Sequence, residues 1–212
     1  MSKAKNISKK SSKYNLKKYD IASILPWSLM SAGVVGLLAS FLLAVETINY
    51  IRDPKAPLSC SINPIVNCSS VIDTPQGEVL GFMNPLIGVV GFSMLIMFGL
   101  ALLYKAKFSE LIWSGAQAGA LLGVVFVHWL IYSSVYVLGS LCPYCMTVWV
   151  VTIWIGLHIT TYNLKSGLFG NGPTVKKINK FLEQNHLLVL PIWYALIIAL
   201  IINHFSLSAL LS

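Results

Sequence analysis

Charge is what this 212-residue sequence has least of: Asp, Glu, Lys and Arg make up 10% of it, against roughly a quarter of an ordinary soluble domain, while 56% is hydrophobic. That scarcity excludes a water-solvated globule, and the long apolar stretches leave no room for a separate soluble domain. Zinc-finger spacings and a stacking-aromatic motif are also missing, so the net charge of +8 is not a nucleic-acid signature. Seven of the fifteen basic residues fall within residues 1–18 and read instead as a cytoplasmic anchor. No small-residue cleavage site follows the charged start MSKAKNISKKSSKYNLKKYD, and the next apolar run is too long for a signal peptide, so the first helix is expected to be retained. No two of the four histidines stand at metal-ligand spacing; His158 and His204 lie toward helix ends, His186 precedes the last apolar run, and these three read as structural or interfacial.

What is present is apolar sequence in long blocks. A hydrocarbon core about 30 Å thick needs about 20 apolar helical residues. Five runs meet that requirement, at roughly 27–49, 84–104, 111–138, 143–163 and 187–211, so the expected fold is an all-α integral membrane protein. Asn84 before Pro85 reads as a cap opening the second run, and Asn63 before Pro64 as the opening of a short loop helix. Thirteen of the fifteen Lys and Arg residues fall before run one, between runs two and three, or between runs four and five; only Arg52 and Lys55 fall on the other side. The positive-inside rule then gives a multi-pass protein of the cell inner or plasma membrane, with the N-terminus cytoplasmic and residues 50–83 and 139–142 outside. Gly115, Gly119 and Gly123, four residues apart in the third run, read as a close helix-packing face rather than the lining of a ligand path.

Cysteine is scarce too, and all four copies fall on the outer side. Two inert disulfides would suit an oxidising compartment. Against that stands Cys142-Pro-Tyr-Cys145, a CxxC opening the fourth run, where unpaired helix N–H groups and the macrodipole favour a thiolate. A two-residue spacer also permits a disulfide that opens and closes with little backbone movement. Zinc is the other habitual use of CxxC, but Cys60 and Cys68, with seven residues between them, lie outside common finger spacing, and no metal is expected. Cys60 and Cys68 sit in the longest outer loop among Pro54, Pro57, Pro64 and Pro75. Ile65, Val66, Val71 and Ile72 can hold Cys68 against the bundle rim near the CxxC, leaving Cys60 the more accessible sulfur. One exposed pair and one membrane-edge pair suit a relay of thiol-disulfide exchanges running from loop to bundle.

The C-x7-C-S-S-V of the first outer loop followed by CPYC at the fourth run resembles the vitamin K epoxide reductase family over most of residues 27–163. The pair order is the reverse of that in DsbB-type disulfide oxidases. The resemblance implies a four-helix bundle around a quinone site, here residues 21–164, preceded by a basic segment 1–20 and followed by a cytoplasmic linker 165–186 and a fifth transmembrane helix 187–212. It implies catalytic roles for Cys60, Cys68, Cys142 and Cys145, with Cys145 beside a quinone of the ubiquinone or menaquinone/vitamin K type. Thr74, six residues after Cys68, stands where the family commonly has a serine of the quinone site. Trp149 stands where animal members have a tyrosine, a departure that bears on epoxide reduction because an indole donates only through its N–H. With no thioredoxin-like domain after the fifth run, the partner is expected to be a separate thioredoxin-fold, DsbA-like protein.

Among the remaining polar residues, His128 reads as an interhelical hydrogen bond before it reads as a proton source for a quinone. Glu46 and Asp73 lie near reactive cysteines but read first as solvated carboxylates. Asn67-Cys68-Ser69 matches a glycosylation tripeptide, rejected because a glycan beside Cys68 would block a partner. Three functions are weighed: a quinone-linked enzyme supporting disulfide formation, a vitamin K quinone or epoxide reductase, and a non-enzymatic membrane scaffold with structural disulfides.

Overall fold

Helices form where the apolar runs predict them. The computed structural model describes residues 21–211 apart from Ala56, Pro64 and Asn171; the basic N-terminal segment and the His186 side chain lie outside the described residues. Helix α1 spans Ile21–Arg52, a short α2 spans Ser69–Ile72, α3 spans Pro85–Leu103, α4 spans Glu110–Tyr132, α5 spans Pro143–Ser166 and α6 spans Pro173–Leu211. Five of them, all but α2, contain a stretch long and apolar enough to cross a membrane. Proline opens α3, α5 and α6, at the position where its missing N–H would have had no partner. α4 runs on into a π-turn, Ser133–Leu138, and both this turn and α5 end on a glycine in the left-handed region, Gly139 at φ 62° and Gly167 at φ 85°. Much of the segment read as a linker is therefore helical, since α6 begins at Pro173.

α5 is the centre of the bundle, with α1, α4 and α6 packed against it and α3 reaching the core through α1. Leu25, Leu29 and Ala32 of α1 meet Val151, Ile155 and Ile159 of α5 in one cluster, completed by Phe92 of α3. Val127 and Ile131 of α4 meet Trp149, Ile153 and Leu157 of α5 in another, covered by Leu190 of α6. α6 is further tied by Trp193 Nε1, which donates to His128 Nε2 at 3.0 Å, and by Tyr194, whose hydroxyl donates to the Val150 carbonyl at 2.9 Å. His128 Nδ1 stands 2.7 Å from the Val124 carbonyl, so a neutral ring protonated at Nδ1 satisfies both contacts. This histidine makes the interhelical hydrogen bond that its position in span three suggests.

Two sequence expectations fail on packing. The Gly115–Gly119–Gly123 ladder is not the close-approach face: nothing lies within 4 Å of where a Cβ would stand on Gly115 or Gly119, and Gly123 meets only Thr152 Cγ2 at 3.3 Å. The close approach is made instead between α1 and α3, where a Cβ on Gly36 would overlap the Phe92 ring and one on Gly88 would overlap Ser40. Nor do the two Asn-Pro pairs cap helices. Asn84 makes no capping bond; its carbonyl accepts from Val79 N at 3.0 Å and its amide donates to Gln76 O at 2.6 Å, closing loop 76–84. Asn63 accepts from the N–H groups of Ile65 and Val66 at 3.0 and 2.7 Å, and the short helix starts only at Ser69. The intervening backbone cannot coil because it is paired elsewhere.

Candidate active site

That pairing assembles the site. Val66 and Leu141 form an isolated parallel β-bridge: Leu141 N donates to Ile65 O at 2.7 Å and Asn67 N donates to Leu141 O at 3.0 Å. The bridge fixes the loop to the turn just before α5, so the residues next along each segment, Cys68 and Cys142, face one another. Their sulfurs are 3.2 Å apart. Cys68 is at the same time disulfide-bonded to Cys60, while Cys142 and Cys145 are free thiols.

Cys142 caps α5 in an extended conformation and its sulfur accepts from the Cys145 backbone N–H at 3.4 Å. The hydrogen bond from the Cys145 thiol, helped by the backbone N–H groups of Cys145 and Tyr144, holds the Cys142 thiol below its ordinary value of 9.0 in spite of burial. Donors aimed at one sulfur make it the better nucleophile of the pair.

Leu43, Leu58 and the rings of Tyr50 and Tyr144 pack around these sulfurs, and Cys60, Cys68 and Cys142 are 3%, 0% and 0% exposed. The expectation that Cys60 is accessible is thus corrected. Leu58 carries the loop inward as an apolar anchor, and the cysteine two residues on follows it under cover. The polar fastening beside it is Ser59, whose hydroxyl donates to Glu46 Oε1 on α1 and lies 3.3 Å from the Tyr144 hydroxyl of the CPYC turn. Sequence reading noted Glu46 without finding this contact, because nothing in spacing links residue 46 to residues 59 and 144. Asp73 is exposed.

Beneath the sulfurs lies a cavity of about 1010 Å³, walled among the described residues by α1, α3, α4, α5 and the segment 71–85. Cys145 and Trp149 line it, and so do Gly119 and Gly123, the glycines first read as packing residues. The Trp149 indole, 3% exposed, has no hydrogen-bond partner for its N–H. A buried donor left unpaired costs about 1–3 kcal/mol, and Trp149 is among the residues that line this apolar cavity. The size suits a drug-sized or cofactor-sized apolar ligand, and a quinone ring, apolar with two carbonyl acceptors, fits the residues present. Thr74 is placed differently: its hydroxyl donates to Val71 O at 2.7 Å and the residue is not part of the cavity wall. Among the described residues no group of three or more His, Cys, Asp or Glu residues stands ready to hold a metal ion.

Comparison with curated proteins finds no match. A family model does match: that of the vitamin K epoxide reductase family, over residues 27–160, the stretch that holds both cysteine pairs and every residue lining the cavity. The chain has five helices long and apolar enough to cross a membrane and matches that family model over well more than half its length, so it belongs to the vitamin K epoxide reductase family, whose members are oxidoreductases.

Proposed function

We propose that the protein oxidises a thioredoxin-fold partner and passes its electrons through Cys60 and Cys68 to Cys142 and Cys145, and from there to a membrane quinone, supporting disulfide bond formation. The observation that carries this reading is the 3.2 Å separation of the Cys68 and Cys142 sulfurs while Cys68 is bonded to Cys60, with Cys145 on the cavity wall. Sulfurs at that distance are within the near-attack range of about 3–3.5 Å.

The exchange balances in single displacements. A partner thiolate attacks the Cys60–Cys68 disulfide at Cys60, releasing the Cys68 thiolate. Cys68 attacks a Cys142–Cys145 disulfide at Cys142, releasing Cys145. The partner's second thiol displaces Cys60 and leaves the partner oxidised, and Cys60 then displaces Cys142 from Cys68. The products are a Cys60–Cys68 disulfide and thiols at Cys142 and Cys145, the arrangement found in this structure. Re-forming the Cys142–Cys145 disulfide releases two electrons and two protons beside the cavity. A bound quinone supplies the acceptor for both, and Trp149 is the residue that would donate a hydrogen bond to one of its carbonyl oxygens.

The distribution of Lys and Arg supports an orientation with this end of the bundle outside the cytoplasm, in the cell inner or plasma membrane. A scaffold with two structural disulfides fits less well, since Cys142 and Cys145 are free thiols. The test is quinone reduction by purified protein supplied with a reduced thioredoxin-fold protein, with vitamin K epoxide assayed alongside. Cys145→Ala is expected to lower quinone reduction to background; unchanged turnover in that variant would refute the proposal.

A further inference from the structure

The polar fastening over Cys60 has a use beyond the relay itself. We infer that Glu46, acting through Ser59 and Tyr144, is a positioning residue that holds the Cys60 segment shut over the relay and so sets how readily an outside thiol reaches Cys60. This rests on the proposed direction of electron entry, in which Cys60 takes the first attack.

Cys60 is 3% exposed, so an incoming sulfur reaches it only after the segment lifts. Among the described residues, the hydrogen bonds tying residues 54–60 to the helices both run through the Ser59 hydroxyl: one to Glu46 on α1, one shared with Tyr144 on α5. The other bonds in this segment are local, from Lys55 N to Asp53 and from Ser61 N to Leu58 O. Cys68 is held independently by the Val66–Leu141 bridge. Releasing Ser59 therefore removes the polar fastening over Cys60 and leaves only the apolar Leu58 anchor holding the segment down, while Cys68 stays beside Cys142. A carboxylate is the strong partner here, because a hydrogen bond to a charged group is worth more than one to a neutral group. Tyr144 gives the fastening a foot on the CPYC turn itself.

The test separates access from electron flow. In a Cys142→Ala/Cys145→Ala background the loop pair cannot pass electrons inward, so the rate at which reduced thioredoxin opens the Cys60–Cys68 disulfide reads access alone, whatever becomes of the quinone proposal. Maleimide mass-tagging of the released thiols gives that rate. Adding Ser59→Ala is expected to raise it about tenfold, equivalent to about 1.4 kcal/mol. Glu46→Gln, whose neutral amide still accepts a hydrogen bond, is expected to raise it about threefold. Ser59→Thr, which keeps the hydroxyl, is expected to stay at the parent rate. Tyr144→Phe, which keeps the ring over the sulfurs, gives a smaller rise and serves if either of the first two variants fails to fold. Rates within twofold of the parent for both Ser59→Ala and Glu46→Gln overturn the inference, as does a Ser59→Thr rate equal to that of Ser59→Ala.

Discussion

Replacing Cys60 with alanine is expected to lock the loop onto the bundle through a new disulfide between Cys68 and Cys142. The two sulfurs are 3.2 Å apart, and a disulfide needs about 2.05 Å, so closing the gap takes a movement of about 1.1 Å, within reach of side-chain rotation. The backbone need not move, because the Val66–Leu141 bridge already holds both segments. Groups held in near-attack geometry reach effective concentrations on the order of 10⁵ M, so the internal reaction outruns capture of Cys68 by about 1 mM of an added monothiol by many powers of ten. The assay is mild oxidation of the purified variant, quenching with maleimide, and mass spectrometry of the peptide joined across residues 68 and 142. The bridge is expected to form also in Cys60→Ala/Cys145→Ala, which keeps both required sulfurs, and to vanish in Cys60→Ala/Cys142→Ala. If most molecules of the first two variants retain separate Cys68 and Cys142 thiols, or join to an added thiol instead, the juxtaposition of these sulfurs does not persist in the protein and the relay reasoning fails.

Trp149→Phe removes an indole N–H that has no partner in the protein together with part of a buried core ring, two opposed effects, so the ligand-free variant is expected to stay within about 2 kcal/mol of the parent while its KM for quinone rises about tenfold; a larger loss of stability with unchanged KM would contradict the assignment. Two glycine substitutions should diverge: Gly119→Leu projects into the cavity, where nothing lies within 4 Å of its Cβ, and lowers quinone affinity at unchanged or slightly raised stability, whereas Gly36→Ala meets the Phe92 ring and costs about 1–3 kcal/mol. Thermal unfolding together with quinone binding checks the pair. The Cys142 thiol is held below 9.0 first by the Cys145 thiol, so its thiolate persists to lower pH than an ordinary cysteine's and is lost as pH falls through the depressed value. Ultraviolet titration is expected to show the midpoint moving upward in Cys145→Ala, and an unmoved midpoint would sink the explanation.

Several features of this site were legible before any coordinates. Five apolar runs carry their own span lengths, and the C-x7-C of the outer loop is the pair found disulfide-bonded. What spacing does not encode is which surface each residue meets. Gly119 and Gly123 have the interval of a packing motif, yet the face they occupy looks onto the cavity, and the close helix contact falls to Gly36 and Gly88 instead. The Val66–Leu141 bridge uses main-chain groups that every residue possesses, so no residue type announces it. The apolar residues flanking Cys68 make Cys60 the expected accessible sulfur, but Leu58, two residues before it, draws the segment inward. Asn84 carries the signature of a cap, and its amide is taken by backbone groups of its own loop, a competition that local sequence cannot decide.

The π-turn at Ser133–Leu138 gives the connection between α4 and α5 a fixed count. Each residue of an α-helix turns the chain by about 100°, and a π-turn takes up extra chain within the helix by widening one ring. Loss or gain of one residue between Tyr132 and Leu141 would therefore act as a rotation, swinging Leu141 away from Val66 before any side chain had changed. The segment is sensitive to its length in a way that ordinary surface loops are not, and insertions or deletions tolerated elsewhere on the molecule would here disconnect one cysteine pair from the other.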